Sequence, residues 1–288
     1  MARILVTAAT GRVGSQLTRR LVDAGHDVLA VTSRPDRAGR IKEAGAAPVV
    51  ADLQKPESLQ QTLDGTDAVF LATPDHPKQD VMERALIAQF SAAGNPHVVK
   101  LSAQSAGLDP PVSFGAYHRR SEQALETSGL PYTILRPTFF QQSLLLFSGD
   151  VARKRKITAP VGNGRIAMVN VEDVAAAAAA VMANEDHFGR TYTLTGPSAH
   201  SFGDVVAQLS DRLGHTVGYS SPPAFAARIV LPFVTGMPRW QSSLVVDLLS
   251  ALKAGAQETV SDDVEHLTGH PPRSIEAFLA EHLDTFRS

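Results

Sequence analysis

Residues Thr7 to Gly14, Thr-Ala-Ala-Thr-Gly-Arg-Val-Gly, have the composition of a turn that binds an anion. They follow the apolar run Ile4-Leu5-Val6 and precede an amphipathic segment, Gln16 to Ala24. The order is strand, tight turn, helix. Such a turn gathers backbone N–H groups and a helix N-terminus at one point, where a pyrophosphate can sit. Gly11 and Gly14 lack a Cβ, so phosphate can approach the backbone and the helix can pack close to the strand. The three-glycine form of this fingerprint has glycine at position 8, and this chain has Ala8. A glycine-rich turn can be only a turn; the strand before and the helix after favour a dinucleotide, and with it hydride chemistry. The expected contacts are Thr7, Ala9, Thr10, Gly11, Arg12, Val13 and Gly14.

About 20 residues beyond such a turn, an NAD site carries an acid for the ribose 2′-hydroxyl. Here that position is Arg34, preceded by Thr32 and Ser33; Asp27 lies at the start of the strand and Asp36 beyond its end. Arginine and the Ser33 hydroxyl suit a 2′-phosphate, which predicts NADP(H) over NAD(H) unless Arg34 is a solvated loop residue. Asp52 and Leu53 follow the third strand, near the adenine edge. Ala72, Thr73 and Pro74 close the fourth strand, near the ribose. Pro137 and Phe139 follow the sixth strand with Thr138 and Phe140; an aromatic there can stack on a ring or pack in the core. Ser102 closes the fifth strand and either meets a ligand or caps its own turn. Tyr117 and His118 begin the next helix. Glu122, four residues after His118, can hold its imidazole ring or form a structural pair with it. Tyr117, His118 and Ser102 are the catalytic candidates.

These residues need a scaffold, and the apolar pattern supplies one. Strands are expected at Arg3–Thr7, Asp27–Thr32, Pro48–Ala51, Ala68–Ala72, His97–Leu101 and Tyr132–Leu135. Helices are expected between them at Gly11–Ala24, Arg37–Ala44, Glu57–Leu63, Gln79–Ala93 and Phe114–Ser128. Short apolar strands alternating with helices predict an α/β fold, a doubly wound parallel sheet of the Rossmann kind. An alanine-rich helix follows Asp173, suited to close packing, and Thr191–Leu194 reads as one more strand. After Gly196 the alternation stops. Ser201–Leu213, with Ser201 and Asp204 spaced for mutual capping, Leu244–Ala254 and Ser274–Leu283 read as helices. Pro222, Pro223, Pro232 and Pro238 break the chain between them into short pieces. The expected division is a dinucleotide-binding domain over 1–150 and a smaller, mainly helical substrate region over 151–288, with about 165–196 returning to the sheet.

With 43% hydrophobic and 19% charged residues the chain is globular, and a net charge of −2 gives no footing for nucleic acid or an anionic membrane. The basic run Arg153-Lys154-Arg155-Lys156 reads as a solvated face. The chain has no cysteine, which removes disulfides, thiolate catalysis and cysteine-ligated metals. The histidines show no metal spacing and no Gly-x-Ser-x-Gly elbow occurs, so neither a metal site nor a hydrolase is expected. No apolar run approaches the ~18 residues of a membrane helix. The expected setting is the cytoplasm.

The turn Thr7–Gly14 resembles the TGATGxxG turn of atypical short-chain dehydrogenases. His118 to Glu122, and Ser128-Gly129-Leu130-Pro131-Tyr132-Thr133-Ile134-Leu135-Arg136-Pro137, are similar to the "HxxxE … SGLPYTILRP" stretch of their NmrA-like branch. Gly164-Arg165, Val171-Glu172-Asp173-Val174-Ala175, Tyr192-Thr193-Leu194-Thr195-Gly196-Pro197, Asp263-Val264-Glu265 and Thr268-Gly269-His270-Pro271-Pro272-Arg273 match it too. The resemblance runs nearly end to end. It implies an NADPH-binding core and a small C-terminal substrate region, in a family of quinone, triphenylmethane-dye and isoflavone-type reductases and redox sensors.

Classical short-chain dehydrogenases protonate a developing alkoxide with a Tyr-x-x-x-Lys pair. Four residues after Tyr117 this chain has Ser121. Ketone reduction yields a strongly basic alkoxide and needs that donor; quinone reduction yields a phenolate-like anion that solvent can protonate later. The expected function is therefore hydride transfer from NADPH to a quinone or similar planar aromatic acceptor, a small-molecule partner. A non-catalytic NADP(H) sensor and a tailoring reductase of secondary metabolism are the alternatives. A homodimer is the commonest oligomer for such a chain.

Overall fold

The computed structural model describes residues 1–182 and 184–287. Its strands are β1 (Arg3–Val6), β2 (Asp27–Thr32), β3 (Ala47–Val50), β4 (Ala68–Leu71), β5 (His97–Leu101), β6 (Tyr132–Pro137), β7 (Lys156–Thr158), β8 (Arg190–Leu194) and β9 (Gly218–Ser220). Seven of them form one sheet in the order β3-β2-β1-β4-β5-β6-β8. Every pairing from β3 to β6 is parallel. β8 runs the same way: Gly189 N–H meets Tyr132 O at 2.7 Å near one end, and Thr138 N–H meets Leu194 O at 3.0 Å near the other. The strand order reverses between β1 and β4, and a crevice forms at the carboxyl ends of strands flanking such a reversal.

Burial on both faces explains why the central strands β1 and β4 are apolar. Ile4, Leu5 and Val6 of β1 and all of β4 are buried. One face of the sheet carries Leu59, Leu63, Leu86, Phe90, Leu125 and Leu130 packed against Leu5, Leu29 and Val69. Helices Arg12–Asp23 and Val171–Met182 pack along each other. Ala175, Ala177 and Ala178 are fully buried there, and their small size permits the close approach expected of that helix.

The chain forms two compact units that interleave in sequence. The first comprises 1–103, 117–136 and 171–192; the second comprises 104–116, 137–170 and 193–288. The segment 171–192 lies in the first unit although it follows much of the second in sequence. Three of the exchange points lie at or near the carboxyl ends of β5, β6 and β8; the others fall within helix Ser113–Glu126 and at the start of helix Val171–Met182.

The second unit has its own core, including Leu144, Ile166, Met168, Phe202, Leu209, Leu252 and Phe278. It also holds a parallel two-stranded sheet, β7 with β9, that sequence did not reveal. Three residues per strand are too few for a periodic signal. The prolines punctuate rather than shatter this region: Pro223 and Pro238 stand at the N-caps of helices Ala224–Thr235 and Arg239–Lys253, and Pro232 lies inside the first. Pro232 forgoes one helical bond, which a helix closed by a left-handed Gly236 tolerates. Ser201 and Asp204 form the expected capping box, with Ser201 Oγ accepting the Asp204 N–H at 3.1 Å and Asp204 Oδ2 accepting the Ser201 N–H at 2.8 Å. Among the described residues no helix is long and apolar enough to cross a membrane.

Candidate active site

The first unit builds the turn after β1 from backbone packing. Ala8 takes the left-handed conformation, φ 47°, at the position where the fingerprint has glycine. Gly11 N–H bonds Ala8 O at 2.9 Å and closes the turn. A Cβ on Gly14 would stand 2.4 Å from Ala8 O, so the helix lies directly on the turn backbone. An L-residue pays for the left-handed region in strain. Ala8→Gly is expected to raise stability by about 1 kcal/mol, read as a higher urea midpoint at unchanged m-value.

The helix Arg12–Asp23 opens with no side-chain cap and no acid in its first turn. Arg12 and Gly11 are exposed there, Thr10 is half-buried, and Ala9, Val13 and Gly14 are buried. Uncapped N–H groups beside a cation fit a pyrophosphate. Thr7 has a structural task in the sheet. It is fully buried, its hydroxyl lies 2.9 Å from Phe70 O and 2.7 Å from Ala72 O, and it accepts the Ala72 N–H at 2.8 Å. Thr7 thus clasps β1 to β4 across the reversal point and uses up Ala72's N–H.

At the end of β2, Ser33 and Arg34 are exposed as a phosphate reader requires. Arg34 grips Asp36 with two prongs, Nε to Oδ1 at 3.2 Å and Nη2 to Oδ2 at 2.9 Å. The bond raises the guanidinium pKa and holds the Asp36 carboxyl below its usual range. A carboxylate therefore occupies the fork that a phosphate would use. Asp36→Asn is expected to tighten NADPH binding severalfold, while Arg34→Asp weakens it about tenfold or more and favours NADH; titrations of nicotinamide fluorescence read both. Asp52 is exposed and accepts the Gln54 N–H at 3.0 Å. Leu53 packs in the core with Leu59 and Leu63.

Thr73, after β4, begins a buried polar chain. Its hydroxyl donates to Glu83 Oε1 at 2.8 Å, and the Gln79 amide reaches the same oxygen at 3.3 Å. Lys100 of β5 donates to Glu83 Oε2 at 2.6 Å, with both side chains fully buried. Burial pushes the Glu83 carboxyl up, but the Lys100 ammonium and its hydrogen bonds outweigh it and hold the group at about 2. Lys100 Nζ also stands 3.5 Å from His118 Nδ1. An ammonium offers only protons, so Nδ1 accepts and the neutral ring carries its proton on Nε2. Burial first and Lys100 second lower His118 to about 4, against the opposing pull of Glu83 and Glu122.

His118 and Glu83 thus both hold values below their ordinary ones, so the unfolded chain binds more protons than the folded chain in acid. Stability is expected to fall as pH drops from 6.5 towards 4 through His118, and from 4.5 towards 2 through Glu83. His118→Gln is expected to flatten the upper part of that slope in pH-dependent urea melts.

Glu122 has partners other than those its spacing suggested. Arg136 of β6 binds it with two prongs, at 2.9 and 2.7 Å, Ser102 Oγ donates to it at 2.6 Å, and Arg119 reaches it at 3.3 Å. Burial raises its pKa, and the Arg136 and Ser102 hydrogen bonds lower it further than burial raises it. Ser102 is buried and its hydroxyl proton goes to Glu122, which ties the end of β5 to the helix that follows. Tyr117 is half-buried, with the Arg120 guanidinium 5.1 Å from its ring centroid. Ser121 is fully buried and its hydroxyl donates to Tyr117 O at 3.2 Å. Pro74 is exposed.

In the second unit, Pro137 is buried and Phe139 is half-buried. Phe139 meets Phe202 edge-on at 6.5 Å, and its N–H donates to Gln257 Oε1 at 2.7 Å. It packs as a partly buried side chain against that unit's core. Sequence reasoning missed Glu83, Lys100 and Arg136. A lysine inside the apolar strand His97-Val98-Val99-Lys100-Leu101 is the signal that points to them, because a buried ammonium requires a buried carboxylate.

Residues 8–185 match the NAD(P)H-binding family. The chain belongs to that family, and its fold is that of the atypical, NmrA-like short-chain dehydrogenases. An NAD(P)H azoreductase of Xenophilus azovorans is 30% identical to it over 98% of this chain and 99% of its own. A (4-alkanoyl-5-oxo-2,5-dihydrofuran-3-yl)methyl phosphate reductase of Streptomyces griseus is 33% identical over 98% and 99%. The crystal structure of an NADPH-dependent quinone oxidoreductase of Escherichia coli in complex with NADPH has a TM-score of 0.89 at 24% identity, covering 96% of this chain and 99% of that one.

Proposed function

We propose that this protein is an NADPH-dependent reductase that passes hydride to a quinone or another planar, conjugated acceptor in the cytoplasm. The observation that carries the reading is Ser121. It stands where a carbonyl-reducing pair has lysine, and its buried hydroxyl is bonded to the Tyr117 carbonyl. Lys100, whose Nζ lies 3.5 Å from the neighbouring His118, is committed to Glu83. The tyrosine–lysine pair is thus not assembled here, and such a site suits acceptors whose reduced form is a weak base. The azo group, the furanone and the quinone named for its relatives are each conjugated systems that can take up an electron pair.

NADPH, when bound, supplies the hydride from C4 of its nicotinamide. The residues of this chain bind and orient it. The Thr7–Gly14 turn offers N–H groups to the pyrophosphate, Arg12 and Arg34 add positive charge, and Ser33 adds a hydroxyl. Thr73, held by Glu83, stands at the end of β4 to position the ribose. His118, neutral with its proton on Nε2, is suited to donate a hydrogen bond without adding charge. The work of such a site is alignment and exclusion of water rather than proton delivery.

Oxidation of NADPH deuterated separately on each face of C4, with naphthoquinone as acceptor, tests the reading. One deuterated cofactor is expected to slow single-turnover oxidation severalfold and the other to leave it unchanged. Equal rates for both at a measurable chemical step contradict hydride transfer from an oriented cofactor.

A further inference from the structure

Helix Ala224–Thr235 of the second unit has no buried residue. Phe225, Ile229, Val230, Phe233 and Val234 are each more than half exposed. Phe225, Ile229 and Phe233 are spaced by four and share one stripe, with Val230 and Val234 beside it. The helix has no acid, and its one cation, Arg228, is neutralised within the chain by Asp247 of helix Arg239–Lys253. A contiguous apolar face of this kind marks an interaction site.

We propose that this face is the interface of a symmetric homodimer, in which the two copies of the helix pair antiparallel about a two-fold axis at Ile229. Three observations favour a second copy as the occupant. The first is self-complementarity. The stripe Phe-x-x-x-Ile-x-x-x-Phe reads the same from either end, so an axis at Ile229 sets Phe225 of each copy against Phe233 of the other and Ile229 against its twin. The second is charge. With Arg228 tied to Asp247, two identical faces meet without repulsion. A lipid surface is better matched by an apolar face flanked by free cations. The third is area. At their observed exposures the five side chains leave on the order of 500 Å² per copy, so a pair covers on the order of 1,000 Å², the lower bound of a specific interface.

The chain has no cysteine, which makes cross-linking a clean test. Ile229→Cys places a single thiol on the axis. Under a mild oxidant such as oxidised glutathione it is expected to give a disulfide-linked dimer quickly, while Leu146→Cys, exposed elsewhere in the same unit, stays largely monomeric. Sedimentation equilibrium of the full chain is expected to show a dimer. Phe233→Asp is expected to weaken it about 100-fold, with circular dichroism and NADPH binding unchanged. Ile229→Lys mixed with Ile229→Glu is expected to associate better than either alone. A wild-type monomer at all concentrations tested overturns the proposal. So does a dimer indifferent to Phe233→Asp, or a monomer that adsorbs through this helix to phosphatidylcholine vesicles.

Discussion

Replacing Glu83 with leucine is expected to cost about 3–5 kcal/mol of stability, and adding Lys100→Met is expected to restore most of it. The reasoning rests on burial. Glu83 and Lys100 are both fully buried and 2.6 Å apart, so neither charge has solvent to fall back on. Removing the carboxylate alone leaves an ammonium among apolar side chains beside a neutral imidazole. Removing both leaves two apolar groups of similar size, which often serves stability as well as the pair did. The double variant separates a second role. Thr73 loses its acceptor in both variants, so weakened NADPH binding that persists in the refolded double variant assigns Glu83 to positioning the end of β4. Urea melts of the two variants decide the first point: a single variant within about 1 kcal/mol of wild type contradicts a charged, buried pair.

Gly14→Ala is expected to weaken NADPH binding by about 100-fold. The added Cβ would stand 2.4 Å from Ala8 O and 3.0 Å from Ala9 Cα, both backbone atoms that no rotamer change can move aside. The helix must lift from the turn, which carries its first N–H groups away from the pyrophosphate. Overpacking of this kind also costs about 1–3 kcal/mol of stability. Gly39→Ala is the matched control, since its Cβ meets nothing within 4 Å. It is expected to leave NADPH affinity unchanged. Equal affinity for Gly14→Ala and wild type would remove the turn from the cofactor site.

The central strands of the large sheet were legible because a strand buried on both faces is written as an unbroken apolar run, as in Ile4-Leu5-Val6 or Ala68-Val69-Phe70-Leu71. β7 and β9 were not, because three residues carry no period. The turn was legible because its constraints are local: Gly11 and Gly14 meet atoms only a few residues away. The interior of the site was not. The i, i+4 spacing of His118 and Glu122 suggested a pair, but Glu122 is claimed by Arg136, 14 residues later on a neighbouring strand. His118 faces Lys100, 18 residues earlier, and that contact depends on how the strand and helix pack. Thr7 and Phe139 show the same limit. Each has protein partners that its place in sequence does not show, Phe70 and Ala72 for the first and Phe202 and Gln257 for the second.

The central claim is reduction of conjugated acceptors by NADPH without a tyrosine–lysine pair. Anaerobic oxidation of NADPH and NADH by a benzoquinone, a naphthoquinone, a cationic dye and a simple ketone tests it most directly. The predicted result is turnover of quinone or dye with NADPH preferred and the ketone inert. Ketone turnover at a rate matching the quinone, or NADPH bound and left unoxidised by every acceptor, would contradict it.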